Sequence, residues 1–295
     1  MTTILAPYMH WAKTRPVTEF DLAASNMLAC SLEDLPGARD AIELTARNDE
    51  GYAPLMDAIG QLYGVAPDRV VHAIGCSGAN FLVMAAHLTA GDEVLMEWPG
   101  YDPMAGACRL LGATVRHFAR PAETGFRADP DTIRRALTPR TRLVILTSPH
   151  NPSGAWLDQA TLEALDTLAA ETGVAILVDE AYLDLSRLLV LQAERSADVP
   201  RAATVGGGHL ISTSSLTKSY GLNGLRCGWA VVPDAATANR LRRARDVIDG
   251  VGSAPVDRLA TLAFSHLPAL GARALAHAQS QLSVARAFLD AHPAL

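Results

Sequence analysis

Paired cysteines, basic runs and long apolar stretches are all missing from this chain, and each gap removes a class of protein. The four cysteines, Cys30, Cys76, Cys108 and Cys227, include no Cys-x-x-Cys pair and have no histidine cluster beside them. That argues against a zinc site or a disulfide framework, and no metal is expected. No apolar run approaches the ~20 residues of a membrane span. The opening MTTILAPYMHWAKTRP lacks the basic-then-apolar order of a signal segment, so a cytoplasmic protein with no membrane partner is expected. Charged residues make up 19% of the chain and the formal net charge is −6, with no basic stripe. Nucleic acid is therefore not an expected partner. Arg240, Arg242, Arg243 and Arg245 read as one face of a helix, interrupted by Leu241 and Ala244.

Apolar side chains are plentiful, at 49% of 295 residues. That is enough for a sizeable core in one large domain or two smaller ones. Through the middle, short β-branched runs alternate with amphipathic stretches. Strands are expected at RVVHAIG (69–75), DEVLMEW (92–98), TVRHFA (114–119), RLVILTS (142–148), VAILVDE (174–180), HLISTSS (209–215) and RCGWAVV (226–232). Helices are expected between them, at 78–90, around MAGACRLLG, at DPDTIRRAL behind an Asp cap and Pro, and at 158–173 up to a glycine. Nearly all-apolar strands separated by helices imply a sheet buried on both faces and mostly parallel, hence a three-layer α/β fold. From 235 onward the pattern is almost wholly helical, with a long amphipathic stretch near 272–289.

Ligands of open parallel sheets sit beyond the carboxyl ends of the strands. At those ends this chain places Cys76-Ser77-Gly78-Ala79, Tyr101, Asn151, Asp179 with Tyr182, and Ser215 with Lys218. Singly, each has an ordinary explanation: Asp179 as a helix cap, Asn151 before Pro152 as a turn former, Tyr101 as a rim aromatic. Five such ends in order make coincidence a poor account. Lys218 stands among Ser215, Thr217, Ser219, Gly221 and Gly224, with Arg226 eight positions on, as though the backbone wraps a ligand and aims a cation at it.

The stretches SPHNPSG, LVDEAYLDL and SLTKSYGLNGLRCGW, in that order, resemble the class I/II aminotransferases, pyridoxal-phosphate (PLP) enzymes with the aspartate-aminotransferase-like fold. The resemblance runs from about Asp21 to the end. It implies an α/β/α PLP-binding large domain over 41–265, an N-terminal segment over 1–40 packing on the small domain, and over 266–295 the start of an α-rich small domain that is incomplete relative to the family. It implies that Lys218 holds the PLP aldehyde as an aldimine and later serves as general base, which needs a lowered pKa. Asp179 is implied to pair with the ring nitrogen, Asn151 and Tyr182 with the phenolic oxygen, and Tyr101 to stack on the ring. Ser215, Arg226, the Ser77 hydroxyl and the amides of Gly78 and Ala79 are implied to hold the phosphate. Tyr52 matches a tyrosine that reaches the neighbouring subunit's phosphate, so a homodimer is implied. Cis peptides are expected at Asn151–Pro152 and Trp98–Pro99.

Two departures stand out. Ala79 occupies a position that often carries a polar side chain. Family members also continue several dozen residues further, through an arginine that binds the substrate carboxylate; Arg273 and Arg286 read as exposed helix positions instead. Either a shortened form or a chain that has shed part of the usual site is expected, one that binds PLP but transaminates more slowly than an extended version. The reaction implied is amino transfer between an amino acid and a 2-oxo acid. A β-elimination lyase, a cyclising enzyme, and a non-catalytic PLP-binding fragment or sensor module remain open, because groups around Cα set the reaction.

Overall fold

The computed structural model describes residues 5–21, 23, 25–192 and 199–293. In chain order they form α1 (Pro7–Thr14), α2 (Ala38–Ala41), α3 (Ala53–Tyr63), β1 (Val70–Ile74), α4 (Gly75–His87), β2 (Glu93–Trp98), α5 (Asp102–Leu110), β3 (Thr114–Ala119), α6 (Pro130–Ala136) and β4 (Thr141–Thr147). There follow α7 (Gln159–Thr172), β5 (Ala175–Asp179), α8 (Leu183–Gln192), β6 (Ile211–Ser215), α9 (Thr217–Tyr220), β7 (Cys227–Val231), α10 (Ala235–Ile248), α11 (Ala254–Ser265) and α12 (Leu267–Ala291).

The seven strands make one sheet in the order β1-β7-β6-β5-β4-β2-β3. Strands β6, β5, β4, β2 and β3 pair in parallel; β7 runs antiparallel to both its neighbours. Successive side chains point to opposite faces, so a sheet covered twice must be apolar throughout. In β4, Leu143 and Ile145 enter the core beneath α4, α5 and α10, while Val144 and Leu146 enter the one beneath α6 and α7. All four are fully buried, each contributing about 1.5–3 kcal/mol. A third core packs α3, α11 and α12 against β7 through Trp229 and Val231. Edge strand β3 buries only Phe118 and carries Arg116 and His117 outward.

Local signals place the helix ends. Asp129 caps α6 ahead of Pro130, and Asp158 caps α7, which stops at left-handed Gly173. Asp234 caps α10 through the amide of Thr237. The peptides before Pro99, Pro149 and Pro152 are cis, the one before Pro149 being additional to the two expected. The four arginines of α10 do not share one face. Arg243 pairs with Glu50 at the surface, Arg242 reaches the carbonyls of Asp68 and Val70, and Arg245 is 1% exposed. Among the described residues no helix is long and apolar enough to cross a membrane.

Helix α4 begins three residues earlier than its sequence pattern indicates. Gly75 takes φ +68, a region that favours glycine, and turns the chain directly from β1 into the helix. Its carbonyl lies against Gly228 of β7 so closely that a Cβ at Gly228 would overlap the backbone of Gly75 and Cys76. Backbone on both sides leaves nothing to yield. Gly228→Ala should therefore cost about 3 kcal/mol in urea unfolding. Gly224→Ala, where nothing lies within 4 Å, should stay within about 0.5 kcal/mol of the parent. Equal midpoints for the two variants would show that the close approach is not a constraint.

Candidate active site

Beyond the carboxyl ends of β2, β4, β5 and β6 lies a cavity of about 470 Å³. Strand β7 runs the other way, so its entrance, preceded by Arg226, opens on the same edge. Asp179, the last residue of β5, lies at the cavity floor and is 7% exposed. It accepts from Asn80 Nδ2 at 2.7 Å, from the Ala181 amide at 2.9 Å and from Cys76 Sγ at 3.3 Å. Burial raises its pKa; those donors and the Lys218 ammonium oppose the rise. Asn80 is itself fixed, because Thr213 of β6 donates to its Oδ1 at 2.5 Å. Burial, and then Asp179, push the Cys76 thiol well up, so it stays protonated and able to donate.

Lys218 sits in α9, one turn past β6, with Nζ 5.6 Å from the centroid of the Tyr182 ring. Burial first, and then the Arg226 guanidinium, hold its pKa below the ordinary lysine value; Asp179 and Cys76 pull it back up. An amine depressed in this way is nearer to its nucleophilic form. Tyr101 and Tyr182 both line the cavity, each with its pKa raised by burial. Tyr101 donates to Met9 Sδ at 3.6 Å and meets Tyr8 of α1 edge-on at 6.1 Å. Asn151 reaches the cavity from the loop after β4, and its amide donates to Thr147 Oγ1 at 2.9 Å. Thr147 Oγ1 in turn donates to Glu97, whose carboxylate is paired with Arg120 at 2.6 Å, both with fully buried side chains.

One end of the cavity is built for an anion. Arg226 has φ +50, uncommon for a non-glycine residue, and its guanidinium lies over Gly75 where a Cβ would collide with it. Ser77, Ser215 and Thr217 line the same end. The Thr217 hydroxyl is buried and has no hydrogen-bond partner among the described residues. Because α4 starts at Gly75, its unpaired first-turn amides are those of Cys76 and Ser77. Gly78 and Ala79, expected to offer theirs, lie deeper: the helix takes up their N–H groups, and Ala79 is fully buried in the core. Tyr52 is also outside the cavity; its ring lies 4.2 Å from the Arg258 guanidinium, and its hydroxyl accepts from Arg258 Nη1.

The cavity thus gathers Ser77, Tyr101, Asn151, Asp179, Tyr182, Ser215, Lys218 and Arg226, but not Gly78, Ala79 or Tyr52. It adds Cys76 and Thr217 as lining residues, Asn80 behind Asp179, and Ser25 and Asn26 beside Lys218. The i, i+4 spacing of Cys76 and Asn80 puts both on one helix face and was the available signal for them. No periodic pattern marks the N-terminal pair.

A sequence profile of the family described as Aminotransferase class I and II matches residues 45–290. Capreomycidine synthase from Streptomyces vinaceus is 36% identical over 239 residues, 80% of this chain and 59% of that protein. Histidinol-phosphate aminotransferase from Zymomonas mobilis is 30% identical, over 88% of this chain and 69% of its own length. A probable N-succinyldiaminopimelate aminotransferase from Mycobacterium tuberculosis is 34% identical, over 72% of this chain and 54% of its length. The chain thus spans roughly half to two thirds of the curated relatives it matches. Among solved structures, a PLP-dependent aminotransferase from Streptococcus suis superposes with a TM-score of 0.82 at 27% identity, covering 93% of this chain and 74% of that one.

Thr217→Val removes a buried unpaired hydroxyl at nearly constant shape. It should raise the urea midpoint of the cofactor-free protein by the equivalent of about 1 kcal/mol. Affinity for pyridoxal phosphate, followed by fluorescence quenching, should fall severalfold. A lower midpoint with unchanged affinity would assign the hydroxyl to the fold.

Proposed function

Since the chain belongs to the class I and II aminotransferases, we propose that this cavity serves amino transfer between an amino acid and a 2-oxo acid. Members of the family use pyridoxal 5′-phosphate. The residues present fit that group. The carrying observation is a held, buried carboxylate facing a depressed lysine in one cavity, with an unpaired hydroxyl and a guanidinium at its anion end.

In this reading Arg226, Ser215, Thr217, Ser77 and the first-turn amides of α4 hold the phosphate. Asp179 keeps a proton on the ring nitrogen, and Asn80 and the Ala181 amide keep Asp179 oriented. Asn151 and Tyr182 would address the phenolic oxygen, and Tyr101 would pack against the ring. Bound there, pyridoxal phosphate supplies an electron-withdrawing ring that accepts the electron pair of a breaking Cα–H bond. Lys218 anchors the group and, once released, its Nζ takes the Cα proton and returns one during product formation.

A relative named as a synthase rather than an aminotransferase keeps a second reading in play, other chemistry on the same cofactor residues. A homodimer is part of the proposal. Tyr52 is not part of its own cavity, and Ile74 and Trp98, the last residues of β1 and β2, are 51% and 58% exposed, as surfaces for a second copy would be. A cytoplasmic location accords with the four free cysteines.

The test has two arms. Borohydride treatment of the protein with pyridoxal phosphate should leave the label on Lys218, and Lys218→Ala should take none. Amino transfer from a panel of amino acids should require an added 2-oxo acid, and Asp179→Ala should slow it by at least about a hundredfold. Release of ammonia with no acceptor present would overturn amino transfer in favour of lyase chemistry.

A further inference from the structure

The amine of Lys218 is gripped by chain from the far end of the sequence. Nζ donates to Ser25 Oγ at 2.8 Å and to Asn26 Oδ1 at 3.0 Å. The Met27 amide donates to the Lys218 carbonyl at 3.4 Å, and the Cys30 amide to the Gly221 carbonyl at 3.0 Å. Residues 25–34 contain no helix or strand. Asp34 ties down the far end by accepting from the amide and hydroxyl of Ser31 at 2.8 and 3.0 Å, and the stretch beside Lys218 is held by its neighbours.

Its path is set from two sides. On the outside, Arg273 of α12 donates from Nη1 to the Leu28 carbonyl at 2.7 Å and from Nη2 to the Ala29 carbonyl at 2.8 Å, with Asp34 3.4 Å from its Nε. Arg273 is therefore a half-buried clamp and not the exposed helix position its sequence context indicates. On the inside, Gly221 has φ +74, and a Cβ there would collide with the Leu28 carbonyl. One guanidinium and one missing side chain together fix the height of the segment above α9.

We infer that residues 25–29 form a strap that positions the Lys218 amine, and that Arg273 is the positioning residue holding the strap. The inference rests on reading Lys218 as the cofactor-bearing lysine. Two effects of the strap oppose each other. Its neutral acceptors, Ser25 Oγ and Asn26 Oδ1, favour the ammonium form, whereas its coverage of the amine disfavours charge. The other groups facing Nζ are Arg226 ahead of β7, Asp179 ending β5, Cys76 on α4 and Tyr182 after β5. Tyr182 is tied to the strap, its hydroxyl donating to the Ser25 carbonyl at 3.4 Å. That bond runs to backbone, so side-chain changes at Ser25 and Asn26 leave it in place, whereas loss of the Arg273 hold loosens it with the cover.

The experiment uses the full chain, dialysed free of cofactor. It contains two lysines, Lys218 and the exposed Lys13, which serves as an internal reference. Trace acetylation across pH, read by mass spectrometry, gives each amine its own midpoint. The double variant Ser25→Ala, Asn26→Ala keeps the cover and removes the acceptors, so the Lys218 midpoint should fall. A half-unit fall means about threefold more free amine at a fixed pH below it. Arg273→Ala releases the cover together with the acceptors; burial is the largest influence on this amine, so the midpoint should rise toward the ordinary lysine value. The double variant changes two side chains outside the cores, which keeps the test alive if Arg273→Ala folds poorly. A Lys218 midpoint unmoved in both would overturn the inference. The readout is the titration of the amine itself, so it stands apart from the borohydride and transfer assays that decide the function.

Discussion

Backbone meets backbone where β7 crosses the first turn of α4, and the contact at Gly228 and Gly75 leaves no room for a side chain. Much of the cavity hangs on that contact. It seats α4 low against the sheet, which brings Cys76 and Asn80 to Asp179 and opens the first-turn amides to the anion end. It also fixes Arg226, whose carbonyl accepts from the Gly75 amide at 2.7 Å while its guanidinium passes over the same glycine. A helix seated even one ångström higher would leave Asp179 buried with fewer donors, and a buried carboxylate without donors is protonated rather than charged.

Strand β5 shows how the sheet separates two acids that are neighbours in sequence. Alternation turns Asp179 toward the cavity and Glu180 away from it. Glu180 accepts from Tyr63 Oη at 3.2 Å and from the Ala202 amide at 2.6 Å, and burial pushes its pKa up to about 7. The Arg201 guanidinium stands 4.5 Å from the centroid of the Tyr63 ring and is paired with Asp184. This second cluster never touches the cavity. It ties α3, α8 and the approach to β6 together behind the strand end that carries Asp179. Glu97 and Arg120 do the same behind Asn151. Polar groups outside the cavity thus brace the strand end and the loop that carry its Asp179 and Asn151.

The strands were legible in the sequence to within a residue or two because a sheet buried on both faces demands runs such as Leu143–Leu146 with no polar interruption. Strand direction was not legible: β7 reads as one more apolar run, and only its partners reveal that it is reversed. The start of α4 was missed because Gly75 and Gly78 both look like turn residues, and the choice between them is made by contact with β7. Lys218, Asp179 and Arg226 could be picked out because their residue types are out of place at apolar strand ends. Asn80 and Thr217 resemble ordinary helix and loop residues, and Ser25, Asn26 and Arg273 meet Lys218 or its strap only through tertiary packing. Arg245, read as part of a charged face, is buried beside the carbonyl of Asp49.

The reversal of β7 also bears on the order in which the cavity is assembled. Lys218 and Arg226 are joined by one short excursion of chain, because β7 departs from the edge at which β6 arrives. The pairing of Cys76 with Asp179 instead closes a span of 103 residues. Loop closure over that span costs about 2 kcal/mol more in chain entropy than closure over eight residues. The lysine and the arginine can therefore come together in a nascent hairpin, while the acid meets its thiol and amide only once α4 has docked. The cation half of the site is a local product of the chain, and the carboxylate half is a product of the finished sheet.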